Sequence, residues 1–166
     1  MNLKPLIAIL VQLISAVCFS QYNLSCYSLK KLSFPVKFDS VVTKQVKYYY
    51  TNTESLSLAC ITLVNPENDI DESKKNRLLQ NYTDGFFSSE NWKYFKREQV
   101  DTTIAGVKGK LVHGFDPTKP MKIKEFYNFF TIVKLRYYTL MGGTTGELTT
   151  EIRKQIDSFL NSAEFK

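Results

Sequence analysis

The chain has few of the residues on which metal and redox chemistry depend. Its 166 residues include one histidine and three cysteines, and no Cys-x-x-Cys pair occurs. A structural zinc site takes four ligands, drawn mainly from these two residue types. Thioredoxin-like redox proteins use the missing Cys-x-x-Cys motif. We therefore expect no metal site, no redox dithiol and no cofactor.

Long apolar runs and concentrated charge are also scarce. The longest apolar stretch covers residues 5–19, whereas a spanning helix needs about 20 apolar residues. The formal net charge is +6, but the lysines are scattered and no zinc-finger or RNP-like motif accompanies them. We expect no nucleic-acid partner, and contact with a membrane only through a lipid tether.

The first twenty residues have the layout of a secretory signal peptide. Lys4 supplies a positive charge ahead of the apolar stretch, and Cys18 and Ser20 are small residues at positions −3 and −1 before Gln21. The sequence thus predicts a signal peptide over residues 1–20 and a single α+β domain over residues 21–166. The mature protein is expected outside the cytoplasm, either periplasmic or secreted. Loss of Lys4 lowers its net charge from +6 to +5.

Two other interpretations of this segment stay open. A retained membrane anchor is disfavoured because the apolar stretch is short and contains Gln12. Lipidation of Cys18 is disfavoured because Val17 stands where bacterial lipoprotein signals have Gly or Ala. A lipidated Cys18 would hold the domain against a membrane face.

Cleavage would leave two cysteines, Cys26 and Cys60. An oxidising compartment permits a disulfide between them, but sequence spacing does not establish its geometry. Cys60 lies within an apolar segment, where a free buried thiol is equally ordinary. Both possibilities remain open at this stage.

Hydrophobic periodicity predicts an α+β fold with a largely antiparallel sheet. Apolar residues cover both faces of the segment 56–64, which is typical of a central strand. A mid-chain helix is expected after an acidic, capping-type start over Asp69–Ser73, and an amphipathic C-terminal helix is expected to begin with a capping box of Thr144 and Glu147. We expect both helices to pack on the sheet. The remaining strands are predicted at 33–38, 46–50, 92–98, 100–104, 110–115, 123–133 and 135–141.

Four segments carry a resemblance to a known fold family. They are Ser33-Phe34-Pro35-Val36, the glycine-punctuated stretch 102–110, the aromatic stretch 136–141, and Gln155-Ile156-Asp157-Ser158-Phe159. In this order the chain resembles the PsbP-like fold family, which includes DcrB-like bacterial envelope proteins. The resemblance is topological. It implies a protein that binds other proteins or assists assembly, without catalysis, and it transfers no site residues.

Aromatic residues make up 14% of the chain, and many stand in adjacent pairs. Neighbours in a strand point to opposite faces, so one of each pair can face solvent or a partner. Exposed aromatic residues beside lysines are typical of recognition surfaces. We take Tyr49, Tyr127, Phe129 and Tyr137 as the candidate binding surface. The alternative is a sheet that is covered on both faces.

Three functions compete on these grounds. The first is an exported, non-catalytic binding or assembly protein that recognises another protein. The second is a carrier of a small apolar or aromatic ligand, held between sheet and helices. The third is a hydrolase that uses His113, which would need a carboxylate and a nucleophile within hydrogen-bond reach.

Overall fold

In the part of the chain that the structure describes, seven strands pair edge to edge in one antiparallel sheet, which is accompanied by two helices and a small second sheet. These elements come from a computed structural model that describes residues 22–23, 27–29, 32, 34, 37–43, 46–64, 72–134 and 136–165. The α+β class predicted from periodicity is confirmed. The predicted signal peptide lies outside the described residues.

The large sheet contains the long strands of the chain. Its order is β3-β4-β5-β9-β8-β7-β6, and all neighbours run antiparallel. Its strands are β3 Asp39–Val42, β4 Val46–Asn52, β5 Leu56–Val64, β6 Lys96–Ile104, β7 Val107–Phe115, β8 Glu125–Val133 and β9 Arg136–Thr144. The three strands β5, β9 and β8 therefore occupy the middle, and β3 and β6 form the edges.

The other elements are short strands and the helices. The small sheet joins β1 (Tyr22–Asn23), β2 (Tyr27–Leu29) and β10 (Ala163–Phe165) in the order β1-β2-β10. Helix α1 spans Glu72–Ser88, and helix α2 spans Thr150–Asn161. No helix in the described parts of the chain is both long enough and apolar enough to cross a membrane.

Each helix covers one face of the large sheet. On one side, called the α2 face, Ile156, Phe159 and Leu160 of α2 pack in a buried cluster with strand residues that include Leu58 and Leu140. On the opposite side, called the α1 face, the core combines Leu79 and Phe87 of α1 with residues of β7 and β8. The sheet is thus the middle layer of three, which buries both sides of its central strands.

The start of α2 differs from the sequence prediction. Thr149 caps the helix, and its hydroxyl accepts a hydrogen bond from the backbone N–H of Ile152. Thr144, the predicted cap, is the last residue of β9 and pairs with Leu56 and Glu125. The strand continues through the two glycines before Thr144, which pair with β5 and β8, and Ile156 of α2 lies where a Cβ of Gly142 would be. The prediction that Thr144 and Glu147 form a capping box at the start of α2 is therefore wrong.

Two predicted strands also differ. Residues 91–94 form a turn in which the backbone N–H of Trp92 donates to the carbonyl of Ser89, and β6 begins only at Lys96. The Trp92 ring instead packs on Phe86 and Phe126. In the segment 33–38, the described residues 34, 37 and 38 are not in a strand.

Candidate functional site

Exposed apolar side chains gather at the β3 edge of the sheet. All four residues of β3 are exposed, and Val41 and Val42 keep 54% and 55% of their surface open. Most large apolar residues of the described chain lie in the core, and Val100 on the other edge strand is the remaining exposed one. An edge that leaves two valines uncovered marks a candidate for contact with another molecule.

Two tyrosines of β4 extend this apolar edge on the α1 face. Tyr48 pairs with Val41 across the strands, and its ring stacks on that of Tyr50 with centroids 5.0 Å apart and planes at 18°. Both rings are half-buried. Burial is the main cause that raises the pKa of Tyr48, and the neighbouring Tyr50 raises it further. We call Val41, Tyr48 and Tyr50, together with Val42 on the opposite face of the same edge strand, the β3–β4 surface.

The backbone of β3 is suited to receive another strand. At the hairpin end, the N–H of Thr43 donates to the carbonyl of Val46 on β4. Because hydrogen-bonding direction alternates along an antiparallel strand, Val41 also bonds inward to β4, whereas Ser40 and Val42 direct their N–H and C=O groups outward. Such outward groups are a template for strand addition.

The opposite edge strand, β6, carries more charged residues than β3. Four of the nine residues of β6 are charged, namely Lys96, Arg97, Glu98 and Asp101. Charged side chains on an edge strand oppose pairing with another chain. On β3 only Asp39 is charged. This difference makes β3 the open edge of the large sheet.

The four aromatic residues proposed from the sequence do not form one surface. Phe129 is fully buried and Tyr127 keeps 8% exposure, both in the core of the α2 face. Tyr49 is half-buried against the same cluster. Tyr137 lies on the α1 face, with its ring centroid 4.9 Å from that of Tyr82. The expectation of an exposed Tyr127 and Phe129 is wrong because β8 is a central strand and helices cover both of its faces.

Of the three consecutive tyrosines 48–50, the sequence pattern led to Tyr49, whose ring packs against the core of the α2 face. Tyr49 points to the α2 face, so its neighbours Tyr48 and Tyr50 both point to the α1 face. The period-two alternation placed this pair together on one face. The signal that was missing was the strand order, which puts β4 next to an edge and beyond the part of the sheet that α1 covers.

His113 is the centre of a group of charged and aromatic side chains on the α2 face. Its Nε2 lies 2.6 Å from Oε1 of Glu125, and its Nδ1 lies 3.9 Å from Oε2 of the exposed Glu98. The imidazole stacks on the Tyr127 ring, with centroids 4.3 Å apart and planes at 4°. The Arg153 guanidinium of α2 lies 3.8 Å from the centroid of the same ring.

This geometry supplies part of what catalysis by His113 would require. The carboxylate is present, because Glu125 holds Nε2. The described hydrogen bonds of His113 include no serine, threonine or cysteine nucleophile, and the Tyr127 hydroxyl donates to Glu125 at 3.5 Å. Burial raises the pKa of Tyr127, partly opposed by the charge on Arg153. The contacts of His113, Tyr127 and Arg153 tie β7, β8 and α2 together.

The Cys60 thiol is fully buried in the core of the α2 face and forms no disulfide with any residue that the structure describes. Burial raises the pKa of this thiol well above its usual range. Cys26, the other member of the predicted disulfide, and Cys18, the predicted lipidation site, lie outside the described residues.

The burial of Cys60 leads to a prediction about its reactivity. In a Cys18→Ser/Cys26→Ser variant, the folded protein is expected to resist a water-soluble disulfide reagent, because thiol exchange needs an accessible thiolate. After unfolding in guanidinium, the single remaining thiol is expected to react fully. Rapid reaction of the folded variant would contradict the burial. The unreduced wild type serves as the comparison, since a Cys26–Cys60 bridge would remove both thiols from the count.

The chain has no match among known families. No protein-family model matches the sequence, and no curated protein matches it with significance. The candidate sites therefore rest on the residues and geometry given above, and the PsbP-like resemblance stays a prediction.

Proposed function

We propose that the protein is an exported, non-catalytic binding protein that recognises another protein through the β3–β4 surface. The observation that carries this proposal is the open edge strand, where two valines are more than half exposed. The stacked Tyr48 and Tyr50 beside them offer rigid aromatic contact area, which is typical of binding hot spots.

The proposed mode of binding is strand addition. An extended segment of the partner pairs with the outward backbone groups of Ser40 and Val42, and its alternate side chains contact Val41 and Tyr48. The net charge of +5 expected after cleavage and the position of Lys47 beside Val42 favour a segment that carries acidic residues next to apolar ones. A second copy of the chain would lack this charge complementarity.

The proposal includes the setting in which the protein works. The N-terminal pattern of residues 1–20 supports export to the periplasm or the exterior. An antiparallel sheet with helices on its faces is compatible with a PsbP-like fold, whose members resemble one another in binding or assembly roles. Fold alone is weak evidence of function, so the β3–β4 surface remains the main support.

The test is capture of the partner with a variant that blocks only strand addition. Ser40→Pro removes an outward N–H without removing a hydrogen bond to β4, and proline is tolerated on edge strands. We expect the wild type and Ser40→Ala to retain the same protein from the extracytoplasmic fraction. We expect Ser40→Pro to retain it about tenfold less, because pairing along β3 supplies much of the affinity.

Three outcomes would overturn the proposal. Equal retention by Ser40→Pro and Ser40→Ala would remove the β3 edge from the interface. Retention of no protein by the wild type would remove the protein partner. Concentration-dependent dimers that Ser40→Pro abolishes would replace the partner with a second copy of the chain. Circular dichroism of each variant checks that the fold is retained.

A further inference from the structure

The side chain of Asn128 is a buried amide with no hydrogen-bond partner among the described residues. It lies in the middle of β8, is 0% exposed, and leaves both Oδ1 and Nδ2 without a partner. Burying an amide without a hydrogen bond is unfavourable, and valine suits a central strand far better. A polar group from another molecule or a buried water would satisfy these two atoms.

Aromatic rings surround this amide on the α1 face. Asn128 is flanked along its strand by Phe126 and Phe130, which are both fully buried and belong to the core of that face. Phe87 of α1 stacks on Phe126 with centroids 5.8 Å apart, and Trp92 meets the same ring at 5.0 Å. A polar pair within an apolar aromatic shell is the usual composition of a small-molecule site.

The helix that covers this region buries a polar residue between two apolar ones. Of the seventeen residues of α1, only Leu79, Thr83 and Phe87 are buried. Thr83 is polar, and its hydroxyl donates to the carbonyl of Leu79 in its own helix. Leu78, Tyr82 and Phe86 are partly buried against the same core, and the Tyr82 hydroxyl shares a hydrogen bond with that of Thr139. A ligand therefore enters only if α1 shifts outward, and a ligand that binds this open form would stabilise it.

An open groove leads toward Asn128 from solvent. It has a volume of about 390 Å³, and its lining residues are Asp84, Phe95, Arg97, Gln99 and Val112. Val112 pairs directly with Asn128 across β7 and β8, so the two side chains stand side by side on the α1 face. The groove therefore ends one strand away from the unpaired amide. It lies toward the β6 edge, opposite the β3–β4 surface.

We infer that this groove continues beneath α1 as a binding site for a small planar aromatic molecule with an amide-like edge. In this site Nδ2 of Asn128 donates to a carbonyl of the ligand, and Oδ1 accepts from its N–H. The ring of the ligand stacks among Phe126, Phe130 and Trp92. The site is independent of the β3–β4 surface, so either can fail without the other.

Thermal unfolding of the purified full-length protein with benzamide tests the site. Benzamide carries a phenyl ring and the complementary amide, and toluene carries the ring alone. At ten times its Kd, benzamide is expected to raise the Tm of the wild type by about 3–6 °C. It is also expected to change the emission of Trp92, the single tryptophan. Toluene is expected to have a smaller effect on both.

Two variants separate a ligand contact from a stability effect. Asn128→Val is expected to fold, to raise the Tm without ligand, and to lose the preference for benzamide over toluene. Thr62→Val is the matched control, because it also removes a buried hydroxyl without a partner, but on the α2 face. It is expected to keep the benzamide response unchanged.

The inference would be overturned by either of two results. No effect of benzamide on the Tm or on Trp92 emission in the wild type would mean that the amide is satisfied by buried water alone. An equal benzamide response in the wild type and in Asn128→Val would place the binding elsewhere.

Discussion

Replacing Gly109 with alanine is expected to destabilise the protein by about 3 kcal/mol or more. Gly109 is buried in β7, and an added Cβ would lie 2.3 Å from the backbone carbonyl oxygen of Phe130 and 2.6 Å from the Phe129 ring. The carbonyl belongs to the central strand β8 and moves only if that strand shifts. A flexible side chain alone cannot relieve the overlap.

Gly85→Ala is the matched control for this substitution. Gly85 lies in α1 with no atom within 4 Å of an added Cβ, so alanine is expected to stabilise the helix by about 1 kcal/mol. Urea unfolding and thermal unfolding, both followed by circular dichroism, measure both variants. The expected fall in Tm for Gly109→Ala is about 6–12 °C. A Gly109→Ala variant as stable as the wild type would show that β8 adjusts freely at this point.

The close approach at Gly109 could be predicted from the sequence, but its partner could not. A glycine within a strand pattern indicates a bulge or a close contact, and Gly109 fits the second case. Gly106 differs, because it forms the hairpin turn between β6 and β7 with Ala105, both at positive φ. The sequence shows where a side chain is missing, whereas the strand order decides which neighbour fills the space.

Periodicity predicted the elements better than their ends. The stripe of Ile152, Ile156 and Phe159 identified α2, because side chains three and four residues apart share a face of a helix. The position of its cap was wrong, since Thr144 and Thr149 both precede that stripe and only the continuing strand β9 excludes the first. Pairing between strands thus determines the conformation of Thr144, although its local sequence is suited to a helix cap.

The candidate sites were the least predictable part. Adjacent aromatic residues have opposite orientations, but which one is exposed depends on what covers each face. For Phe129 and Phe130 both faces are covered, and both rings are fully buried. For Tyr48 the covering helix lies elsewhere on the sheet, and the ring is half-buried. Asn128 gave no sequence signal at all, because an asparagine in a strand is normally expected on an exposed face.

Replacing Phe126 with alanine is expected to cost about 3–5 kcal/mol of stability, the range for truncating a buried phenylalanine. Phe126 is 0% exposed and lies at the centre of the aromatic core of the α1 face. Its ring contacts those of Phe87, Trp92 and Phe95, with centroids 4.9–5.8 Å apart. Urea unfolding measures the loss, and a red shift of Trp92 emission in the folded variant is expected to report the loosened packing.

Gly114 provides the decisive check on this packing, because the Phe126 ring lies over it. An added Cβ at Gly114 would fall 2.0 Å from Cζ of Phe126, so Gly114→Ala alone is expected to destabilise by about 1–3 kcal/mol. In Phe126→Ala the ring is gone, and the alanine methyl at position 114 would enter the space it leaves. The double variant is therefore expected to be more stable than the sum of the two losses predicts, by about 1–3 kcal/mol.

Gly109→Ala combined with Phe126→Ala is the control pair and is expected to be additive, because an added Cβ at Gly109 meets Phe129 and Phe130 rather than Phe126. Additive losses for Gly114 and Phe126 would contradict the stacking of this ring over the glycine.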